Sequence, residues 1–206
     1  MATQQKKGLL VIISSPTGGG KDAIIKDLVK VFPNSTRLVT TTSRSPRPTD
    51  KEGETYYFIS REDFETKIKE GYFLEYNDCV GNYYGTPKQY FKDTLAKYDI
   101  VFSNIDVNGK RSLDDLDVPN LSFFILPESL NSLKQRAEKR GGMTEEMIRD
   151  RIILAKEEIA KSKDYDYKVI NFDGKLDETV EKIAEIIQQT LSSQGANNSG
   201  LTKNQQ

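Results

Sequence analysis

Hydrophobic and polar positions along this chain fall into two rhythms. Four short runs are almost continuously apolar: LLVIIS at 9–14, DIVFSNID at 99–106, LSFFILP at 121–127 and YKVIN at 167–171. Such runs predict strands buried on both faces, as in parallel sheets covered by helices. A weaker fifth strand is predicted near RLVTT at 37–41. Between the runs the apolar spacing changes to three and four. Residues 22–32 set Ile24, Ile25, Leu28 and Val31 on one helical face. Residues 177–191 do the same with Val180, Ile183, Ala184, Ile187 and Leu191, with Asp177 as the expected N-cap. Strand alternating with helix predicts an α/β fold with a mostly parallel sheet core flanked by helices.

Two stretches break this alternation. Residues 37–95 are rich in tyrosine, proline and short polar strands, with one helical pattern carrying Phe64 and Ile68, and predict a small α+β insertion. Residues 128–163 predict two helices joined at Arg140-Gly141-Gly142 and hold Arg136, Arg140, Arg149 and Arg151. An arginine-dense helical hairpin hinged at glycine suits a lid that closes over phosphates; an ordinary solvated helical face fits the same composition. From Ser192 to Gln206 the sequence is SSQGANNSGLTKNQQ, and disorder is expected there.

Composition narrows the chemistry. The 206 residues carry a formal net charge of -1, which argues against general binding to nucleic acid or to anionic membrane. No apolar run reaches the roughly 20 residues needed to span a bilayer. The N-terminus lacks a signal-peptide cleavage pattern, so a cytoplasmic protein is expected. Cys79 is the sole cysteine and is expected to be a half-buried structural thiol. Histidine is absent, which removes the commonest general base, histidine metal ligation and the usual triads.

The first apolar run leads directly into SSPTGGGKD at 14–22. A strand, a glycine-rich turn and a lysine opening a helix form the layout of a phosphate cradle, G-x-x-x-x-G-K-[ST]. Gly18, Gly19 and Gly20 let backbone amides approach an anion, and Lys21 supplies charge. Ser15 stands at the first glycine position and Asp22 at the hydroxyl position. In TTTSRSPRP at 40–48, Arg44 and Arg47 stand three apart on a proline-stiffened segment, as two guanidinium forks for a dianionic phosphate would. Tyr56, Tyr84 and Thr86 offer hydroxyls. Glu75 can accept two hydrogen bonds from a base edge with adjacent N–H groups, an edge guanine has and adenine lacks.

Taken in order, TTTSRSPRP, Gly53 to Tyr56-Tyr57-Phe58, FLEY, GNYYGT and Ile105-Asp106-Val107-Asn108-Gly109 resemble the guanylate kinase family, from about residue 8 to residue 190. The resemblance implies a P-loop nucleoside monophosphate kinase fold. A core with the ATP site would comprise residues 6–36, 96–133 and 156–192, with a GMP-binding insertion at 37–95, a lid at 134–155 and a disordered tail at 193–206. It implies that Arg44, Arg47, Tyr56 and Tyr84 hold the GMP phosphate, that Thr40, Glu75 and Thr86 read guanine, and that Asp106 lies near the acceptor. ATP would lie on Ser15, Pro16, Thr17, Gly18, Gly19, Gly20, Lys21, Asp22 and Ala23, with Asn171 near adenine. Arg136, Arg140 and Arg151 would close on the phosphates and act with Lys21 and Arg44 in catalysis. The implied reaction carries a phosphoryl group from ATP to GMP or dGMP, with Mg2+ bound alongside ATP, in a monomer or homodimer.

The chain departs from the family pattern at Asp22 and Ala23, where hydroxyls are usual, and at Asn104, where an acid is usual. Phe172 also stands where an aspartate is usual. Asp22 is either a magnesium ligand in its own right or a cap of the helix start. Two classes stay open on the sequence: an active GMP kinase, and a catalytically weak or inactive module of the same shape that binds GMP or a phosphopeptide.

Overall fold

The computed structural model describes residues 8–200 apart from Val80, and for Arg140 and residues 194–200 it describes the backbone alone. Its core is a five-stranded, wholly parallel sheet in the order β2-β7-β1-β8-β9. The strands are β1 (Leu9–Ser14), β2 (Ser35–Arg37), β7 (Ile100–Ser103), β8 (Leu121–Pro127) and β9 (Tyr167–Asn171). Helices α1 (Lys21–Val31) and α7 (Leu176–Gly200) cover one face, and α3 (Lys88–Lys97) and α4 (Val107–Asp115) the other. This explains the unbroken apolar runs. Val11, Ile13, Phe102 and Phe123 pack towards Ile24, Ile25, Leu28, Ile183 and Ile187, while Leu10, Ile12, Val101 and Phe124 pack towards Phe91, Leu95 and Leu113. Burying each large side chain contributes about 1.5–3 kcal/mol relative to exposure.

The predicted strand at 37–41 is in fact two strands in two sheets. β2 ends at Arg37, Leu38 and Val39 cross through the core, and β3 (Thr40–Thr42) opens a second sheet. That sheet has the order β4-β3-β6-β5, with β4 (Tyr56–Phe58), β5 (Phe73–Cys79) and β6 (Asn82–Pro87). Helix α2 (Arg61–Lys69) covers one of its faces, where Phe64 stacks on Phe73 and Tyr83. The arginine-rich hairpin consists of α5 (Leu130–Arg140) and α6 (Glu145–Lys161).

Four expectations need correction. Strand β7 stops at Ser103, because Asn104 and Ile105 leave the sheet towards Asp106, which caps α4. Val31 lies on the exposed side, 45% accessible, because Phe32 takes the core position at the helix end. Asp177 is not the cap of α7. The helix begins one residue earlier, so Asp177 sits in the first turn, where its charge suits the helix dipole. The helix also continues through Gly200 rather than giving way at 193, since extending an existing helix adds one hydrogen bond per residue fixed. Residues 201–206 lie outside the described residues.

Candidate functional site

The phosphate loop lies at the carboxyl end of β1, at the sheet edge where open α/β folds bind ligands. The Ser14 hydroxyl donates to the Ile105 carbonyl at 2.6 Å and accepts from the Tyr165 hydroxyl at 2.7 Å, tying the loop entry to the end of β7. Ser15 turns inwards onto the Pro16 carbonyl, and a Cβ at position 19 would stand 2.7 Å from the Ser15 side chain. Gly20 has φ +93°, and a Cβ there would stand 2.7 Å from Asn171 Nδ2. Only glycine satisfies both demands. Asn171 donates to the Gly19 carbonyl at 3.1 Å and accepts from Thr179 at 3.2 Å, so its amide holds the loop from behind. Lys21 is the first residue of α1.

Sheet parity assembles the second half of the site. Thr42 pairs with Tyr84, Thr40 with Tyr56, Asn77 with Tyr84 and Glu75 with Thr86. Paired residues, and residues two apart on one strand, share a face. Thr40, Tyr56, Glu75, Tyr84 and Thr86 therefore stand together, opposite the face that α2 covers. Glu75 is 6% accessible and accepts from the Thr86 hydroxyl. Burial, with the nearby charge of Asp106, pushes its pKa up to about 7, against the pull of the Thr86 hydrogen bond. Tyr56 and Tyr84 meet edge to face at 5.7 Å, and Arg44 lies 5.7 Å from the Tyr56 ring. Burial pushes both tyrosines up in pKa, so they remain neutral hydroxyl donors at neutral pH.

The other predicted residues fall as follows. Arg44 Nη2 pairs with Asp50 at 2.7 Å, and Asp50 also takes the Arg47 backbone N–H at 2.7 Å; the Arg47 residue itself is exposed. Asp106 caps α4 through the Asn108 and Gly109 amides and accepts from Asn77 at 2.6 Å. Arg136 donates to the Gly18 carbonyl at 3.3 Å and to the Asn171 carbonyl at 3.2 Å and pairs with Asp173, which joins α5 to the phosphate loop. Arg151 donates to the Met143 sulfur at 3.1 Å, inside the hairpin. The side chain of Arg140 lies outside the described residues. Pro16 and Thr17 form the turn of the loop, and Ala23 follows on the exposed side of α1.

Asp22 is already engaged. Its Oδ1 lies 3.0 Å from Arg37 Nη2 and accepts from Asn104 Nδ2 at 3.1 Å. Its side chain is 60% accessible, and among the described residues no three acidic, histidine or cysteine side chains converge on a metal site. One carboxylate with free hard oxygen nevertheless suits Mg2+, which keeps waters and takes its other ligands from phosphate.

Several residues of this site escaped sequence reasoning. Asp50 orients both arginine positions, Asn77 holds Asp106, and Arg37 pairs with Asp22. Glu158 of α6 is buried close to Thr17, and its Oε2 makes no hydrogen bond among the described residues; burial lifts its pKa to about 7, with the charge of Lys21 opposing. It lines a cavity of about 110 Å³ together with Asn77, Cys79 and Asp106. Only Asp50 left a local signal, an acid three residues beyond Arg47 in a proline-bounded loop. Cys79 is partly buried and free, and burial raises its pKa.

Comparison with known proteins agrees with this geometry. The family model described as Guanylate kinase matches residues 7–190. The guanylate kinase of Rickettsia prowazekii is 41% identical over 184 residues, covering 89% of this chain and 92% of that protein. That of Clostridium tetani is 42% identical over 182 residues, covering 88% and 86%. The crystal structure of guanylate kinase from Anaplasma phagocytophilum superposes with a TM-score of 0.71 at 27% identity, covering 90% of this chain and 87% of that one. The family match and these relatives span nearly all of the described residues, over the parallel sheet with its glycine-rich loop and the small second sheet alike, and the chain belongs to the guanylate kinase family.

Proposed function

We propose that this ATP:GMP phosphotransferase binds its donor on the phosphate loop and its acceptor, GMP or dGMP, on the tyrosine-lined face of the four-stranded sheet. The observation that carries this reading is the shared face of Thr40, Tyr56, Glu75, Tyr84 and Thr86, with Arg44 at its edge. Ionised Glu75 accepts from N1–H and N2–H of guanine, while Thr86 and Thr40 contribute hydroxyls. Arg44, Arg47, Tyr56 and Tyr84 neutralise and orient the monophosphate.

The acceptor oxygen is already anionic, so no general base is required, and the absence of histidine costs the reaction nothing. Catalysis is positioning plus charge neutralisation. The amides of the loop and Lys21 cradle the donor phosphates. Arg136 is anchored beside Gly18, and Arg140 and Arg151 close from the hairpin. Asp106 fixes α4 against the acceptor face, and Asn171 stiffens the loop towards the adenine side. Mg2+, if bound with ATP, would supply screening of the donor phosphate charge. Of this chain's residues, Asp22 would hold it, the remaining ligands being phosphate and water.

No helix among the described residues is long and apolar enough to cross a membrane. A single unpaired cysteine and two nucleotide substrates support the reading of a cytoplasmic protein that acts as a monomer or homodimer without nucleic acid. A coupled assay of ADP release with GMP, dGMP, AMP, UMP or no acceptor tests the reading. Turnover is expected with GMP and dGMP in the presence of Mg2+ or Mn2+. Tight GMP binding without turnover would instead make this a binding module.

A further inference from the structure

Arg37 belongs to none of the sequence motifs, yet it stands at the junction of the two halves of the site. It ends β2, and its guanidinium reaches across to the start of α1, where Nη2 lies 3.0 Å from Asp22 Oδ1. The same carboxylate oxygen accepts from Asn104, just beyond β7, and Asn104 lies close to Tyr56 of the four-stranded sheet. The Arg37 side chain is only 20% accessible. Its Nε and Nη2 are buried and make no hydrogen bond among the described residues, so Nη2 meets Asp22 as a charge rather than along an N–H direction.

Electrostatics gives this contact a purpose. Asp22 follows Lys21 directly, so a carboxylate stands where a highly anionic triphosphate must settle. At a separation of about 6 Å and an effective dielectric of about 40, each like-charge pair there costs about 1 kcal/mol. We propose that Arg37 is a positioning residue for donor binding: it neutralises and pins Asp22, so that an acidic side chain next to the loop lysine does not repel ATP. The carboxylate is drawn towards β2 and Asn104, and Lys21 keeps its charge for the phosphates. This rests on the loop being the donor site.

The test is equilibrium binding of ATP by calorimetry, in EDTA and in Mg2+, to the wild-type protein and to R37M, R37K, D22N and D22N/R37M. R37M is expected to weaken ATP binding about tenfold in EDTA and only about threefold in Mg2+, because a cation replaces the missing charge; a merely structural role would give equal losses. In EDTA, where no metal ligation by Asp22 enters, R37K is expected to recover most of the affinity, and D22N/R37M to return to within about threefold of wild type, since no acid is left to neutralise. GMP affinity, within about threefold of wild type, reports that the fold is intact. Should R37M fail to fold, D22N decides: with Arg37 left unopposed beside the loop, ATP in EDTA binds about threefold more tightly, and weaker binding overturns the proposal. Unchanged ATP affinity in R37M, or a double variant as weak as R37M, overturns it while leaving the donor site standing. A wild-type protein that binds no ATP in either condition overturns both.

Discussion

Glu75 sits near the midpoint of its titration at neutral pH, so on the proposed acceptor face its protonation state is expected to govern binding. Burial and Asp106 lift it to about 7, from an ordinary carboxylate near 4.5. Two consequences follow with opposite signs. The folded protein holds this proton more tightly than the unfolded chain, so Glu75 costs nothing below the ordinary range and progressively more as pH rises towards 7. The full cost amounts to about 3 kcal/mol. Glu75→Gln is therefore expected to gain stability over wild type as pH goes from 5 to 8, read by urea denaturation. If Glu75 reads guanine as proposed, the ionised form is required, so GMP affinity is expected to climb from pH 6 to 8 in the wild type. In Glu75→Gln it should be about 100-fold weaker, since a charged hydrogen-bond pair is lost, and should follow only the titration of the phosphate. ATP affinity should stay within about twofold. Equal losses for both nucleotides would remove Glu75 from the guanine site. At this scale the sequence was informative about identity and blind to pairing. Asp22 and Asn104, the two departures from the family pattern near the loop, touch each other across 82 residues of sequence.

Among the elements, the phosphate loop is the most tightly specified. Gly20→Ala would place a Cβ 2.7 Å from the Asn171 amide at φ +93°. The backbone strain is about 1–2 kcal/mol, to which the clash adds. Loop distortion is expected to weaken ATP binding at least about tenfold while GMP binding stays within about twofold, because the acceptor face is built on another sheet. Comparable losses of both would show that the two sheets do not act separately. The strands β1, β8 and β9 were legible to the residue, because burial on both faces leaves continuous apolar runs. RLVTT was not, since local alternation reports extended backbone and says nothing about which sheet receives it. The crossing at Leu38 and Val39 is what carries Arg37 to the donor side and Thr40 to the acceptor side.

For the molecule as a whole, binding and stability are linked. On the proposed reading, GMP binds the folded acceptor face and not the unfolded chain. At a concentration of 100 times its Kd it should therefore add about 2.7 kcal/mol of stability. For a chain of this size that raises Tm by about 5–10 °C. AMP at the same concentration is expected to shift Tm by less than about 1 °C, because it offers the Glu75–Thr86 pair no donor edge of the right shape. An equal shift from both nucleotides would mean that the face reads phosphate alone. The hairpin of α5 and α6 is fastened to the phosphate loop by Arg136, which donates to the Gly18 and Asn171 carbonyls. Hairpin and phosphate loop are thus in direct contact.

The linear chain by itself determined the element types, the parallel core, the glycine-rich cradle and the residue kinds of the acceptor face. Each of these depends on periodicities and spacings that a strand, a helix or a tight turn imposes locally. Tertiary structure alone decided that Asp50 aims the arginines, that Arg37 and Asn104 hold Asp22, that Asn77 holds Asp106 and that Glu75 is buried deeply enough to titrate near neutrality. Most of those partners lie far apart in sequence, and their energies depend on burial and distance, which no local pattern encodes.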